Sequence, residues 1–149
     1  HLSSNIVPLW VGLTLTLYLY PNGSIRSLGA IYFGTGALTW LVGRDAIHLG
    51  ASGIVFGILS FLLLSGLLRR DRRALAVSLF IVFVYGYLFW GVLPLSQDMS
   101  WEFHLSGVVM GCLCAVVLRN YDLPPMKRYD WEVDEDSECP EDFDDPSQY

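Results

Sequence analysis

The 149-residue sequence has few charged residues and few cysteines, and each shortage excludes broad classes of protein. Charged side chains make up only 16% of the chain, so a heavily solvated surface around a small core is not the pattern here. The three cysteines, Cys112, Cys114 and Cys139, form neither a metal-binding set nor a disulfide framework. There is also no glycine-rich nucleotide loop and no basic patch. We therefore expect no cofactor, no metal ion and no nucleic-acid partner.

Apolar residues, 53% of the chain, are concentrated in five uncharged stretches before position 119. A helix needs about 20 apolar residues to cross a bilayer, or somewhat fewer where its ends lie in polar protein. The stretches cover residues 6–20, 27–43, 52–68, 74 to about 93, and 104–118. Their apolar runs are continuous rather than alternating, which argues against membrane β-strands. The sequence thus predicts an all-α, polytopic membrane helix bundle with the lipid bilayer as its surroundings.

Charge divides the chain into two parts of opposite sign. Residues 1–118 carry a net charge of +2 and form the predicted transmembrane domain, whereas residues 119–149 carry −8. The acidic segment has too little apolar surface to offset its ordering entropy, so we expect a disordered tail. The arginines within 69–73 predict a cytoplasmic connection, because positive loops stay inside. The tail is then cytoplasmic as well, loops 44–51 and 94–103 lie outside, and the expected location is a bacterial inner membrane.

Ser52 stands at the head of the third stretch, between Ala51 and Gly53, and its hydroxyl needs an explanation. It could cap a helix, pack against a neighbour or act as a nucleophile. A nucleophilic serine needs a base within about 3 Å. The predicted topology places the three histidines, His1, His48 and His104, near the same outer level of the membrane as this serine. One of them is therefore a candidate base.

Two pairs of glycines favour one of these histidines. Gly53 and Gly57 follow the serine four residues apart, and Gly107 and Gly111 follow the last histidine at the same spacing. Small residues at this spacing let two membrane helices approach closely. Such motifs also occur in helices that only pack, so one pair alone is weak evidence. If the two pairs face each other, the serine meets the histidine at matching depth.

His48 is the competing base, because residues four apart are neighbours on a helix and His48 precedes Ser52 by four. Gly50 and Gly53, however, favour a tight loop that enters the helix at the serine rather than a helix continuing back through His48. We therefore expect His48 to form hydrogen bonds within the outer loop.

Three motifs, in this order along the predicted membrane helices, strongly resemble those of the rhomboid intramembrane serine proteases. They are HLSSN at residues 1–5, GASG at residues 50–53 and HLSGVVMG at residues 104–111. The resemblance extends to about residue 118. That family has a core of six transmembrane helices, of which this chain would supply five. The first helix and the loop after it would then precede His1, so the chain resembles an N-terminally truncated rhomboid domain.

The resemblance also implies roles for individual residues. Ser52 falls on the family's nucleophile and His104 on its base, and the two form a dyad without a third acidic member. His1 and Asn5 match the motif that contributes to the oxyanion hole. The backbone N–H groups of Ser52 and Ala51 would join them, and preorganised donors of this kind stabilise a developing oxyanion.

The function implied is that of an intramembrane serine endopeptidase that cleaves single-pass transmembrane proteins. Substrates of the family are thought to enter beside the helix that corresponds to residues 74–93, and residues 95–103 would form a cap over the site. The alternative is an inactive rhomboid-like protein that binds transmembrane clients. Inactive relatives generally lack the serine or the histidine, and this chain keeps both.

Overall fold

The structure is a computed structural model that describes residues 2–44, 50–84 and 100–123. These residues form five α-helices, and no strand occurs among them. The helices are α1 (Leu2–Leu19), α2 (Ser24–Val42), α3 (Ser52–Leu68), α4 (Arg72–Val84) and α5 (Trp101–Val117). The predicted all-α helix bundle is therefore confirmed. None of the helices, over the residues described, is both long enough and apolar enough to cross a membrane.

The predicted end of the cap is wrong, and α1, α2 and α4 begin before the predicted stretches, at residues 2, 24 and 72 instead of 6, 27 and 74. The cap was expected to extend through residue 103, but Trp101–Phe103 form the first turn of α5. The amides of Phe103 and His104 donate to the carbonyl of Ser100, at 3.1 and 3.3 Å. The prediction began the helix at His104, after the charged Glu102, yet an acid in the first turn interacts favourably with the helix dipole. Residues 95–99 of the predicted cap, and the end of the fourth stretch beyond residue 84, lie outside the described residues.

Helix α3 lies in the middle of the bundle and contacts each of the other four helices. It carries no charged residue, and ten of its 17 residues are buried, as expected for a helix that is apolar on all sides. Its Ile58, Phe61 and Leu62 pack with Tyr20 and Ile31 in the main core. This central position means that a side chain at either end of α3 meets several neighbouring helices.

Helices α3 and α5 run in the same direction, so their corresponding ends meet. At one end, which we call the Ser52 end, Ser52 lies beside His104. At the other, the Arg69 end, a guanidinium N–H of Arg69 donates to the carbonyl of Leu118 at 2.6 Å. Helix α2 runs antiparallel to α5, since the thiol of Cys114 donates to the carbonyl of Ser27 near the Arg69 end.

Polar contacts hold the helices together at the Arg69 end. The guanidinium of Arg69 lies 4.1 Å from the ring centroid of Tyr20, and burial lowers the pKa of this guanidinium from its ordinary value. After α5, the carboxylate of Asp122 accepts hydrogen bonds from the backbone amides of Asn22 and Gly23 and from the side chain of Asn22. The chain that leaves α5 is thereby bound to the turn between α1 and α2.

Candidate active site

Ser52 is the first residue of α3, and the turn before it depends on a glycine. Gly50 has a φ of 137°, a conformation that side chains other than glycine rarely adopt. This turn starts the helix at Ser52, with Ala51 as the flanking residue. The hydroxyl therefore lies at the helix N-terminus, where the first N–H groups have no partner within the helix.

His104 lies within hydrogen-bonding distance of this serine. Its Nε2 is 2.7 Å from the Oγ of Ser52, and the residue is only 7% exposed. A serine and an imidazole this close have the geometry that a nucleophile and its base require. The distance is set by residues 52 positions apart in the chain, which only the packing of α3 against α5 brings together.

The packing that brings them together depends on the two predicted glycine pairs. A Cβ atom added to Gly107 would overlap the carbonyl oxygen of Gly53, and one added to Gly111 would overlap that of Gly57. A Cβ atom on Gly53 would meet the ring of Phe103. The backbones of α3 and α5 are thus in direct contact, and no larger residue fits between them without movement.

The aromatic ring of Phe56 is a part of the site that our sequence analysis missed. It lies 4.6 Å from the imidazole of His104, centroid to centroid, with the two rings tilted by 32°. Phe56 is itself 6% exposed and follows Ser52 by four residues, which places both on one face of α3. That spacing was the signal available in the sequence. The ring supports the imidazole on the side of the Ser52 helix.

A half-buried ion pair, also missed, involves a residue of the same helical turn as His104. The Nε of Arg44, just beyond the end of α2, is 3.1 Å from Oε1 of Glu102 in the first turn of α5. The side chain of Glu102 is 6% exposed, and that of Arg44 is 41% exposed. The sequence showed both charges, but as residues of two separate outer loops. Nothing in their spacing indicated that they would pair.

The structure describes only part of the oxyanion site that the resemblance implies. Asn5 is buried in α1, a helix that packs against α3, and Ala51 is half-buried beside Ser52. His1, the other predicted donor, and His48, the competing base, lie outside the described residues. Among the residues described, no group of three His, Cys, Asp or Glu side chains could hold a metal ion.

The fold and the close-packed glycine helices define a class, the all-α bundles in which two helices are in direct backbone contact through small residues. Comparison with known families shows to which family the chain belongs. A family model described as "Rhomboid domain" matches residues 1–121. The chain belongs to the rhomboid family and is therefore an integral membrane protein.

The relatives that the comparison found are uncharacterised proteins of mycobacteria. The chain is 36% identical to one from Mycobacterium bovis and to one from Mycobacterium tuberculosis, with 79% of this chain and 53% of each relative covered. It is 32% identical to one from Mycobacterium leprae, with 79% and 50% covered. The chain thus spans about half the length of these relatives. No solved structure matches it significantly.

Proposed function

We propose that the protein is an intramembrane serine endopeptidase in which Ser52 is the nucleophile and His104 the general base. The observation that carries this proposal is the 2.7 Å distance between the Oγ of Ser52 and the Nε2 of His104. The membership of the chain in the rhomboid family supports it, since that family acts on transmembrane proteins in general. The proposed substrates are accordingly single-pass transmembrane proteins.

The proposed reaction begins when Nε2 of His104 takes the proton of the Ser52 hydroxyl. Oγ then attacks the carbonyl carbon of the scissile peptide bond, and the carbonyl oxygen becomes an oxyanion. His104 gives the proton to the leaving amine, and the peptide bond breaks to leave an acyl-enzyme. In the second half, His104 accepts a proton from water, and the water oxygen attacks the ester carbonyl carbon. The bond between that carbon and Oγ then breaks, and His104 returns the proton to Oγ, which regenerates Ser52 and releases the acid product.

The oxyanion would be stabilised at the N-terminus of α3. The backbone N–H groups at Ser52 and Ala51 lie there, and the helix dipole places partial positive charge at this end. The amide of Asn5 and the side chain of His1 are the further donors that we propose. Donors that are already in position before the reaction cost no reorganisation as charge develops.

We propose the orientation from the positions of the arginines. The exposed side chains of Arg70, Arg72 and Arg73 follow α3 at the Arg69 end, and positive loops favour the cytoplasmic side. The Ser52 end would then face the outer side of a bacterial inner membrane, and the acidic tail would be cytoplasmic. Cleavage would take place near the outer surface.

A serine-directed fluorophosphonate probe tests the proposal on the whole protein in detergent. The parent should be labelled, Ser52→Ala should not be labelled, and His104→Ala should react at least about 10²-fold more slowly, the lower range for loss of a general base. His48→Ala is the matched control and should keep substantial reactivity. An unlabelled parent would favour the alternative, an inactive rhomboid-like protein that binds transmembrane clients.

A further inference from the structure

The ion pair between Arg44 and Glu102 has no part in the reaction proposed above, although it lies beside the proposed base. Glu102 precedes His104 by two residues in the first turn of α5, and both side chains are more than nine-tenths buried. A buried carboxylate is costly unless it is paired and hydrogen-bonded. In the part of the chain that the structure describes, this is the only ion pair between two side chains.

The first turn of α5 is contacted from two sides. On the side of α3, this turn is held by Phe103 against Gly53 and by His104 against Ser52. Glu102 instead reaches Arg44 at the end of α2. Consecutive helix residues point about 100° apart, so the ion pair holds the turn from a different side.

Two other contacts lie further along the seam between α2 and α5. Met110 packs over Gly34 in the middle of the seam, and the thiol of Cys114 donates to Ser27 at 3.9 Å. Neither contact lies near the first turn of α5. The ion pair links the chain at the end of α2 to the turn that carries His104, so it can restrain the height and rotation of that turn.

We infer that the Arg44–Glu102 ion pair positions His104 for proton transfer from Ser52, an inference that rests on the function proposed above. Glu102 is then a positioning residue that acts through the helix, not a group that touches the substrate. Without the pair, the carboxylate would be left buried and uncompensated, and the first turn of α5 would shift toward water. A shift of about 1 Å in a catalytic group can cost about 10²-fold in rate.

Another role for Glu102 must be separated from this one. Its second oxygen, Oε2, is buried and has no hydrogen-bond partner among the described residues, so it could accept a hydrogen bond from a peptide substrate. A small fluorophosphonate carries no peptide N–H group. If Glu102 bound only substrate, its replacement would leave the reaction with this probe unchanged. A positioning role predicts slower labelling even by the small probe.

The experiment measures the rate and the saturation of probe labelling, per folded molecule and well below the melting temperature. We expect Glu102→Gln and Arg44→Gln each to lower the maximal labelling rate about 10- to 100-fold, with little change in the half-saturating probe concentration. The double variant should be no slower than the slower single one, because both changes break the same contact. Arg72→Gln, an exposed arginine at the Arg69 end, is the matched control and should label like the parent.

The charge-swapped protein, Arg44→Glu with Glu102→Arg, provides the rescue test and should recover part of the lost rate. If Glu102→Gln does not fold, Arg44→Gln decides the matter, since Arg44 is partly exposed. Single variants whose labelling rates lie within about twofold of the parent's would overturn the inference. A double variant whose loss of labelling rate equals the product of the two single losses would also overturn it. A parent that is not labelled refutes the proposed function and this inference together, whereas a labelled parent with equally reactive variants refutes the inference alone.

Discussion

Replacing Gly107 by alanine adds one methyl group where the backbones of α3 and α5 are in contact. The new Cβ atom would overlap the carbonyl oxygen of Gly53 and lie 3.2 Å from the amide nitrogen of Gly57. Both neighbours are backbone atoms of a helix, so neither can rotate away. The strain can be relieved only if the two helices separate.

The size of the effect follows from these contacts. Real Cβ atoms essentially never approach another heavy atom within 3.0 Å, so the helices must separate by about 1 Å near Gly107. His104 is one turn away on α5, and its 2.7 Å distance from Ser52 would lengthen beyond the reach of a hydrogen bond. We expect a loss of about 10²-fold in the rate of probe labelling. Overpacking should also destabilise the fold by about 1–3 kcal/mol.

The assay compares labelling rate and melting temperature for Gly107→Ala and a matched control, Gly36→Ala. A Cβ atom at Gly36 meets nothing within 4 Å, and the residue is exposed in the middle of α2. Alanine is a better helix former than glycine by about 1 kcal/mol, so the control should be as stable as the parent or slightly more stable. Parent-like labelling by folded Gly107→Ala would refute the argument that this contact sets the distance between the serine and the histidine.

Three further predictions concern the dyad, the oxyanion site and the Arg69 end. Peptide-bond cleavage should be lost in both Ser52→Ala and His104→Ala, and the double variant should be no worse, since the two residues act as a unit; a double variant clearly less active than either single one would argue against a dyad. Asn5→Ala should lower turnover by about 10²–10³-fold with little change in substrate binding, and a fall in melting temperature with normal turnover of the folded fraction would instead make Asn5 structural. Asp122→Ala removes an acceptor of three hydrogen bonds and should cost about 1–3 kcal/mol of unfolding free energy, whereas exposed Asn120→Ala should cost almost nothing. Equal melting temperatures for these last two variants would show that the hydrogen bonds of Asp122 to the turn between α1 and α2 do not stabilise the fold.

Local patterns in the sequence were sufficient for the five helices of the described residues and for naming the candidate serine and histidine. A long apolar run without charge predicts a helix from the local sequence alone, and the third stretch, residues 52–68, has the same bounds as α3. The glycine before Ser52 also has a local meaning, since the turn at Gly50 needs a positive φ. The start of α5 was misjudged because Glu102 is charged, and charge alone does not show whether a residue precedes a helix or lies in its first turn.

Contacts between distant residues could be decided only by the tertiary structure. Which face of α5 meets α3, and at what height, depends on the rotation of each helix about its axis. A rotation of one residue, about 100°, would give Glu102 and His104 different neighbours. The ring of Phe56 against His104 and the pairing of Arg44 with Glu102 follow from that choice. The sequence by itself indicated the candidate nucleophile and base. The packing of α2, α3 and α5 decided which side chains surround them, because that packing depends on how all the helices fit together.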